Sequence, residues 1–380
     1  MEIILFLYFS FLLGIGVIAS KSVNNISDYY VGGKQLNYWI AALSARSTGE
    51  SGWLLLGVTG MGAVMGLSAF WIVLGEVIGV FLSWHFMAAK FKNLTDRYNS
   101  ITVPDFLHSH FNAKTNTIRI IAATALSAFV VIYVSAQIDI TGKTFESFLG
   151  YNYYNGIFIG FGIVVAYIFS GGFLAVAWSD IFQGSLMFVA LLILPIVAYF
   201  QLPTDTNFLQ GLSDIDPSLL NIWGDGGFNL LNAFSVIGLL SIGIGFLGSP
   251  QVYVRFIAIR DSAEIKKGKI VAVLYTLITS SSAVVIGMLG RFMFTTSNQN
   301  PELALGVAGE NVLYLLLIDI MPNVIVGFYI AALLSAVMST VDSLLVVASS
   351  AVTRDFYQQI INPNADSQLL INLSKKVTLA

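Results

Sequence analysis

The sequence predicts an all-α protein that crosses a membrane many times, and three observations carry that reading. Hydrophobic residues make up 56% of the 380-residue chain and charged ones only 10%, against about 25% charge in a soluble domain. Runs of about 20 apolar residues, the length that spans a bilayer core, recur along the chain. The basic residues then gather in alternate connecting segments. A globule of this size cannot hide so much apolar surface, so lipid must cover part of it.

Nine apolar runs are expected to span, at roughly 2–20, 37–60, 67–90, 117–142, 153–172, 175–200, 229–252, 269–294 and 323–350. Lipid offers backbone groups no partners, which leaves only helices or a closed barrel. The runs are too long and too evenly apolar for barrel strands. The first run opens with Met1-Glu2, without a positive leading region or a small-x-small cleavage site, so it reads as a span and not a signal peptide.

The connecting segments test this count, because cytoplasmic loops collect Lys and Arg. With the N-terminus outside, fifteen of the eighteen basic residues fall inside: Lys21 and Lys34; Lys90, Lys92, Arg97, Lys114 and Arg119; Arg255, Arg260, Lys266, Lys267 and Lys269; Arg354, Lys375 and Lys376. Lys143 and Arg291 fall at outer helix ends, and Arg46 lies within a span. The segment 201–229 carries Asp205, Asp214, Asp216 and Asp225 and no base, as an outer loop can. The loop after the ninth span is thus cytoplasmic. The end of the chain, Lys375-Lys376-Val-Thr-Leu-Ala380, reads as an inner flank opening another span, so a truncated sequence is expected.

Composition also excludes. No cysteine is present, which removes disulfides, thiolate metal sites and cysteine nucleophiles. The net charge of −3 leaves no nucleic-acid footprint. His108 and His110 are placed in a loop and His85 near a helix end, with no further ligand nearby, so no metal site is expected. No nucleophile–base pattern points to an enzyme, and nothing indicates a cofactor or an obligate protein partner.

Polar residues inside spans are costly and are functional candidates for that reason. The second span contains Ser44-Ala-Arg-Ser-Thr-Gly-Glu-Ser-Gly52, and the seventh Ser241-Ile-Gly-Ile-Gly-Phe-Leu-Gly-Ser-Pro250. Interrupted helices at corresponding places of two halves mark inverted-repeat transporters, because an unwound turn frees carbonyls for a cation and N–H groups for a carboxylate. The other reading is that the glycines only permit close helix packing. Gly243-x-Gly245-x-x-Gly248 matches the dinucleotide fingerprint but lies inside an apolar span, so that reading is rejected. Arg46 is expected to be neutralised by Glu50, four residues on, or by Glu76 of the third span. Asp139 is also placed at membrane depth.

The ninth span holds Ala336-Val-Met-Ser-Thr-Val-Asp-Ser343. Ser339 and Thr340 offer oxygens suited to a hard cation such as sodium, with Ser343 on the same face as Ser339. Such hydroxyls also bond back to their own helix. Asp342 needs a partner. Asp180, early in the sixth span, is expected to join Ser339, Asp342 and Ser343 in a second cation site. Two carboxylates that close would otherwise repel until one took a proton. The plainer alternative has Asp180 capping its helix and Asp342 paired with a base elsewhere.

Four segments in this order resemble the sodium:solute symporter family, most closely its sodium/proline symporter branch: Asp28-Tyr-Tyr-Val-Gly-Gly-Lys34, Ser51-Gly-Trp-Leu-Leu-Leu-Gly57, Ser170-Gly-Gly-Phe-Leu-Ala-Val-Ala-Trp-Ser-Asp180 and Met338-Ser-Thr340. The third is a family signature, and the resemblance runs over essentially the whole chain. It implies a single transporter domain with a five-plus-five inverted repeat. The first span would be peripheral, the first repeat at about 37–200 and an incomplete second repeat at about 229–380. It implies sodium-coupled symport of a small organic solute, proline or another amino acid, by alternating access in a cell membrane, most simply a bacterial inner membrane. It places one sodium on Ser47, Glu50, Ala336, Ser339 and Thr340, and the solute on Ser51, Gly52, Tyr133, Ile242, Phe246 and Pro250. Departures are visible: Gly49 stands where the proline carriers have aspartate, Ile242 where they have tryptophan, Phe246 where they have tyrosine, and Lys34 replaces an arginine. Competing readings are a proton-coupled or other-solute carrier of the same fold, and a membrane sensor that binds solute without moving it.

Overall fold

The computed structural model describes residues 1–297 and 299–379. Among them there is no strand, only one parallel bridge between Leu36 and Ile259. Seven helices are long and apolar enough to cross a membrane. Two of these are too long for one crossing. Tyr38–Arg97 has 60 residues and Tyr153–Phe200 has 48, about 90 and 72 Å at 1.5 Å per residue, against a bilayer core of about 30 Å. Each is two passes joined at a glycine with positive φ, Gly66 (φ 58°) and Gly172 (φ 53°), a conformation that a Cβ disfavours.

Packing shows both reversals. The second span meets the eighth in rising order: the Tyr38 N–H donates to Glu264 Oε2 at 2.6 Å, Thr279 Oγ1 to Glu50 Oε1 at 3.0 Å, and Gly62 lies on Val284. The third meets it in falling order, with Ser280 bonded to Glu76 and Trp84 on Gly268. Gly172 does the same for the fifth and sixth passes. The first span sets Gly16 on Tyr167 and Ala19 on Gly171, while its Tyr8 accepts from Gln183 of the sixth pass.

Entry points follow cap chemistry. Asn37, Asn152, Asn229 and Asp261 each accept backbone N–H groups at the start of a spanning helix, the role for which short polar side chains are preferred. Asp261 opens the eighth helix at Ser262 and not near 269, so Lys266, Lys267 and Lys269 ride on its first turns. The fourth helix runs on to Leu149, where Gly150 at φ 67° ends it. Thr102 caps a short helix, Val103–His110, so His108 and His110 are helical and not in a loop. Asp139, expected at membrane depth, is half-exposed on that fourth helix, where its carboxylate accepts from Tyr153 and pairs with Lys143.

Two packing pairs are reciprocal. The third span packs along the seventh, and the eighth along the second. This is the arrangement required when one repeat exchanges the second span with the seventh and the third with the eighth. Each pair is seated on glycine. A Cβ on Gly243 would collide with the backbone of Gly75, and one on Gly287 with the backbone of Thr59 and Ala63. The ninth span, Asn323–Ser350, is buried along most of its length at the centre.

Candidate cation and solute sites

The second helix breaks at Ser51, which sits at φ 37° and ψ −178°. A non-glycine residue there costs about 1–3 kcal/mol, and such strain persists only where surroundings enforce it. Here they do. The Gly52 N–H donates to Gln137 Oε1 of the fourth span at 3.1 Å, and the Trp53 N–H to Ser51 Oγ at 3.2 Å. Beyond the break the helix continues as a wider π-helical turn, Trp53–Val58. Gln137 was not singled out from sequence, since a lone glutamine in a span carries no pattern.

Just before that break the second and ninth spans meet through oxygen. Ser339 Oγ donates to the Ser47 carbonyl at 3.0 Å and lies 3.3 Å from the Ala336 carbonyl; Thr340 Oγ1 lies 3.1 Å from the Thr48 carbonyl and 3.0 Å from that of Ala336. All are buried. The bonds to Ala336 are the back-bonds of the plainer reading, and they coexist with the bonds across the interface. Four of the five expected ligands converge. The Glu50 carbonyl, the fifth, accepts the Trp53 N–H, and the carbonyl that reaches Thr340 is that of Thr48. Neutral oxygens alone form the cluster, the donor set a hard cation takes.

The expected second cation site is corrected. Its cation is a side chain of the protein. Arg255, counted among loop residues from sequence, is fully buried on the helix Pro250–Ala258. Its Nη2 donates to Asp180 Oδ2 at 2.8 Å and to Ser343 Oγ, its Nε to Ser44 Oγ at 2.9 Å, and its Nη1 to the Gln251 carbonyl. Ser44 also donates to Asp180. Asp342 accepts from Tyr167 at 2.6 Å and lies 3.0 Å from Ser343 Oγ. Ser343 therefore links the two aspartates through the guanidinium, while Ser339 turns toward Ser47. The seventh run does not continue to residue 252 as one helix. It ends at Ile244, tightens over Gly245–Gly248 and restarts at Pro250, and that restart carries Arg255 into the core.

Arg46 donates to Glu50 Oε1 at 2.7 Å, with both side chains buried. Glu76 is not its hydrogen-bond partner; Ser280 bonds Glu76 instead. The Arg46 guanidinium also lies 4.9 Å from the centre of the Phe246 ring, close enough for cation–π attraction. Of the expected solute residues, Ser51 and Gly52 form the break, and Phe246 packs on it beside Gly49. Tyr133 and Pro250 line one cavity of about 230 Å³ with Gly245, Gly248, Ser249 and Leu344. Ile242 does not line that cavity. Among the described residues no group of three or more acidic or histidine side chains is placed to hold a metal ion.

The family model for the sodium:solute symporter family matches residues 29–380. The chain belongs to that family. Sodium is the family's coupling ion, and its members are transporters, not enzymes. A high-affinity proline transporter of Bacillus subtilis (strain 168) is 34% identical over 376 residues, covering 97% of this chain and 76% of its own length. The sodium/proline symporter of Escherichia coli (strain K12) is 32% identical, covering 96% and 72%. A solved structure described as the substrate-bound, outward-open state of a Na+-coupled sialic acid symporter matches with a TM-score of 0.80 at 20% identity, covering all of this chain and 79% of that one. At that identity it shows the fold, a multi-pass helical transporter core. A nucleobase-cation symporter, Mhp1, matches more distantly, with a TM-score of 0.53 at 12% identity.

Proposed function

We propose that this family member carries a small amino acid, proline being the first to try, together with sodium by alternating access. The observation that carries the reading is the convergence of the Ser339 and Thr340 hydroxyls on second-span carbonyls, one turn from the Ser51 break. Sodium would sit among the Ser47, Thr48 and Ala336 carbonyls and those hydroxyls. The solute would lie beyond the break, against Ser51, Gly52, Tyr133, Phe246 and Pro250. The first repeat corresponds to about 37–200, and residues from about 229 belong to the second.

The test is uptake of labelled L-proline, L-alanine and L-serine into proteoliposomes, with and without an inward sodium gradient. Gradient-driven accumulation of at least one is expected, and equal uptake without sodium overturns the coupling. A second reading has one observation in its favour. The Arg255 cluster sets two carboxylates against one guanidinium, and a proton would balance the remaining charge. Accumulation driven by a pH gradient in sodium-free medium would select it.

The N-terminus is proposed to face outward, with the loop after the ninth span in the cytoplasm. Because the chain has no cysteine, a single exposed cysteine at Asp205 should react with an impermeant maleimide on intact cells, and one at Lys114 should not. The reverse pattern inverts the topology.

A further inference from the structure

We infer that Arg46 is the anchor for a carboxylate on the transported solute, and that this chain selects carboxylate-bearing solutes through it. The inference rests on the proposed solute site and names the group recognised there. Arg46 is 2% exposed, and it spends only Nη2 on Glu50. Nε has no partner, and Nη1 makes no hydrogen bond with any described residue. Glu50 is half-used in the same way: Oε1 takes both Arg46 and Thr279, while Oε2 is buried without a partner. A buried polar atom left without a partner is costly, and the Arg255–Asp180 pair leaves only the carboxylate oxygen Asp180 Oδ1 open, with every guanidinium nitrogen engaged. The Arg46–Glu50 pair leaves donors on the guanidinium and an acceptor on the carboxylate.

The position of the free donors points to their use. Arg46 Nη1 lies 3.4 Å from where a Cβ on Gly49 would be, and Phe246 Cε1 lies 3.1 Å from the same point. Gly49, Arg46 and Phe246 thus form one small surface between the two interrupted helices, and Gly49 and Phe246 are both partly exposed. Any side chain at residue 49 would cover the guanidinium edge. Glycine leaves it bare. The Phe246 ring faces the guanidinium and holds its plane without consuming a donor. An anion at this edge meets a guanidinium already dehydrated and oriented, and carboxylate geometry matches paired N–H donors. Removing Arg46 alone would leave Glu50 buried and unpaired, so the test needs a charge-balanced variant.

The experiment is sodium-driven uptake by the full chain in proteoliposomes, using matched pairs: L-proline against L-prolinamide, L-alanine against L-alaninamide, and L-serine against L-serinamide. The wild type should favour the acid of at least one pair by about tenfold or more, the scale of a charged hydrogen bond. In the double variant Arg46→Gln/Glu50→Gln the ratio should fall below about twofold, and Arg46→Lys should restore part of it. The ratio within a pair is the readout, so a general loss of rate does not decide the matter. A wild-type ratio near one, or a double variant that keeps the wild-type ratio, overturns the inference and leaves the amino-acid reading standing. A panel in which neither member of any pair is taken up overturns both. A double variant that fails to fold is replaced by Gly49→Ala, which is expected to lower the acid-to-amide ratio by crowding Nη1; an unchanged ratio there also overturns the inference.

Discussion

The two buried arginines make opposite use of similar surroundings. Arg255 directs three of its nitrogens to four acceptors, and Asp180 is tied to it and to Ser44. Arg46 uses one nitrogen, leans on an aromatic face and leaves the rest of its edge free. The first is built as a lock between the sixth, seventh and ninth spans. The second is built with vacancies, beside a strained helix break. The difference lies in the guanidiniums, since every nitrogen of Arg255 is engaged whereas Arg46 keeps two without a partner, and each carboxylate has one buried oxygen left open.

The largest effect should come from the arginine whose every nitrogen is engaged. Arg255→Gln leaves Asp180 and Asp342 without their guanidinium, and breaking a buried pair costs about 3–5 kcal/mol. Little folded protein should survive detergent extraction, measured by size-exclusion chromatography. Pairing it with Asp180→Asn should recover part of the yield. Equal yields for single and double variants would dissolve the coupling.

Next comes the Arg46–Glu50 pair. Arg46→Gln or Glu50→Gln alone should each lower stability, with a ceiling near the insertion cost of a lone intramembrane charge, about 2.5–3.5 kcal/mol. Thermal unfolding should show the double variant recovering part of that loss. A smaller penalty than at Arg255 is expected, because Thr279 and Phe246 remain to each survivor.

Third, Ser339→Ala with Thr340→Ala should raise the sodium concentration for half-maximal uptake by about tenfold, the worth of a hydroxyl ligand or two. Unchanged sodium dependence would remove the site. The smallest effect is expected at Glu76. Glu76→Gln keeps a partner in Ser280 and should change stability by no more than about 1 kcal/mol. A loss as large as that of Glu50→Gln would make Glu76 the true counter-charge of Arg46.

What the sequence made legible follows from range. Apolar runs, glycine-broken segments and the four-residue spacing of Arg46 and Glu50 are local signals, and each can be read on one stretch of chain. Thr279 on Glu50 and Ser280 on Glu76 are contacts across more than 200 residues, which no local pattern announces. Arg255 was hidden by its neighbourhood. It stands five residues from Arg260, close to three lysines, and the positive-inside rule rewarded placing all of them in one loop. A helix that restarts at Pro250 and runs back into the core looks, in composition, like the end of a span. Thr48 was passed over for a different reason: a backbone ligand has no side-chain signature, so its register depends on where the helix gives way.

The glycine seats at Gly75–Gly243 and Gly62–Gly287 constrain how this molecule can move. With no side chain between the backbones, neither helix of a crossing can slide or roll without striking its mate. Each crossing then behaves as a rivet, and the four helices travel together as a rigid plate. Any swing that opens one face and closes the other has to be absorbed where the chain is jointed: at Ser51, at the Gly245–Ser249 turn and at Gly172. A methyl group at Gly243 would force the rivet apart. Its cost would register in the timing of the cycle as well as in the stability of the fold.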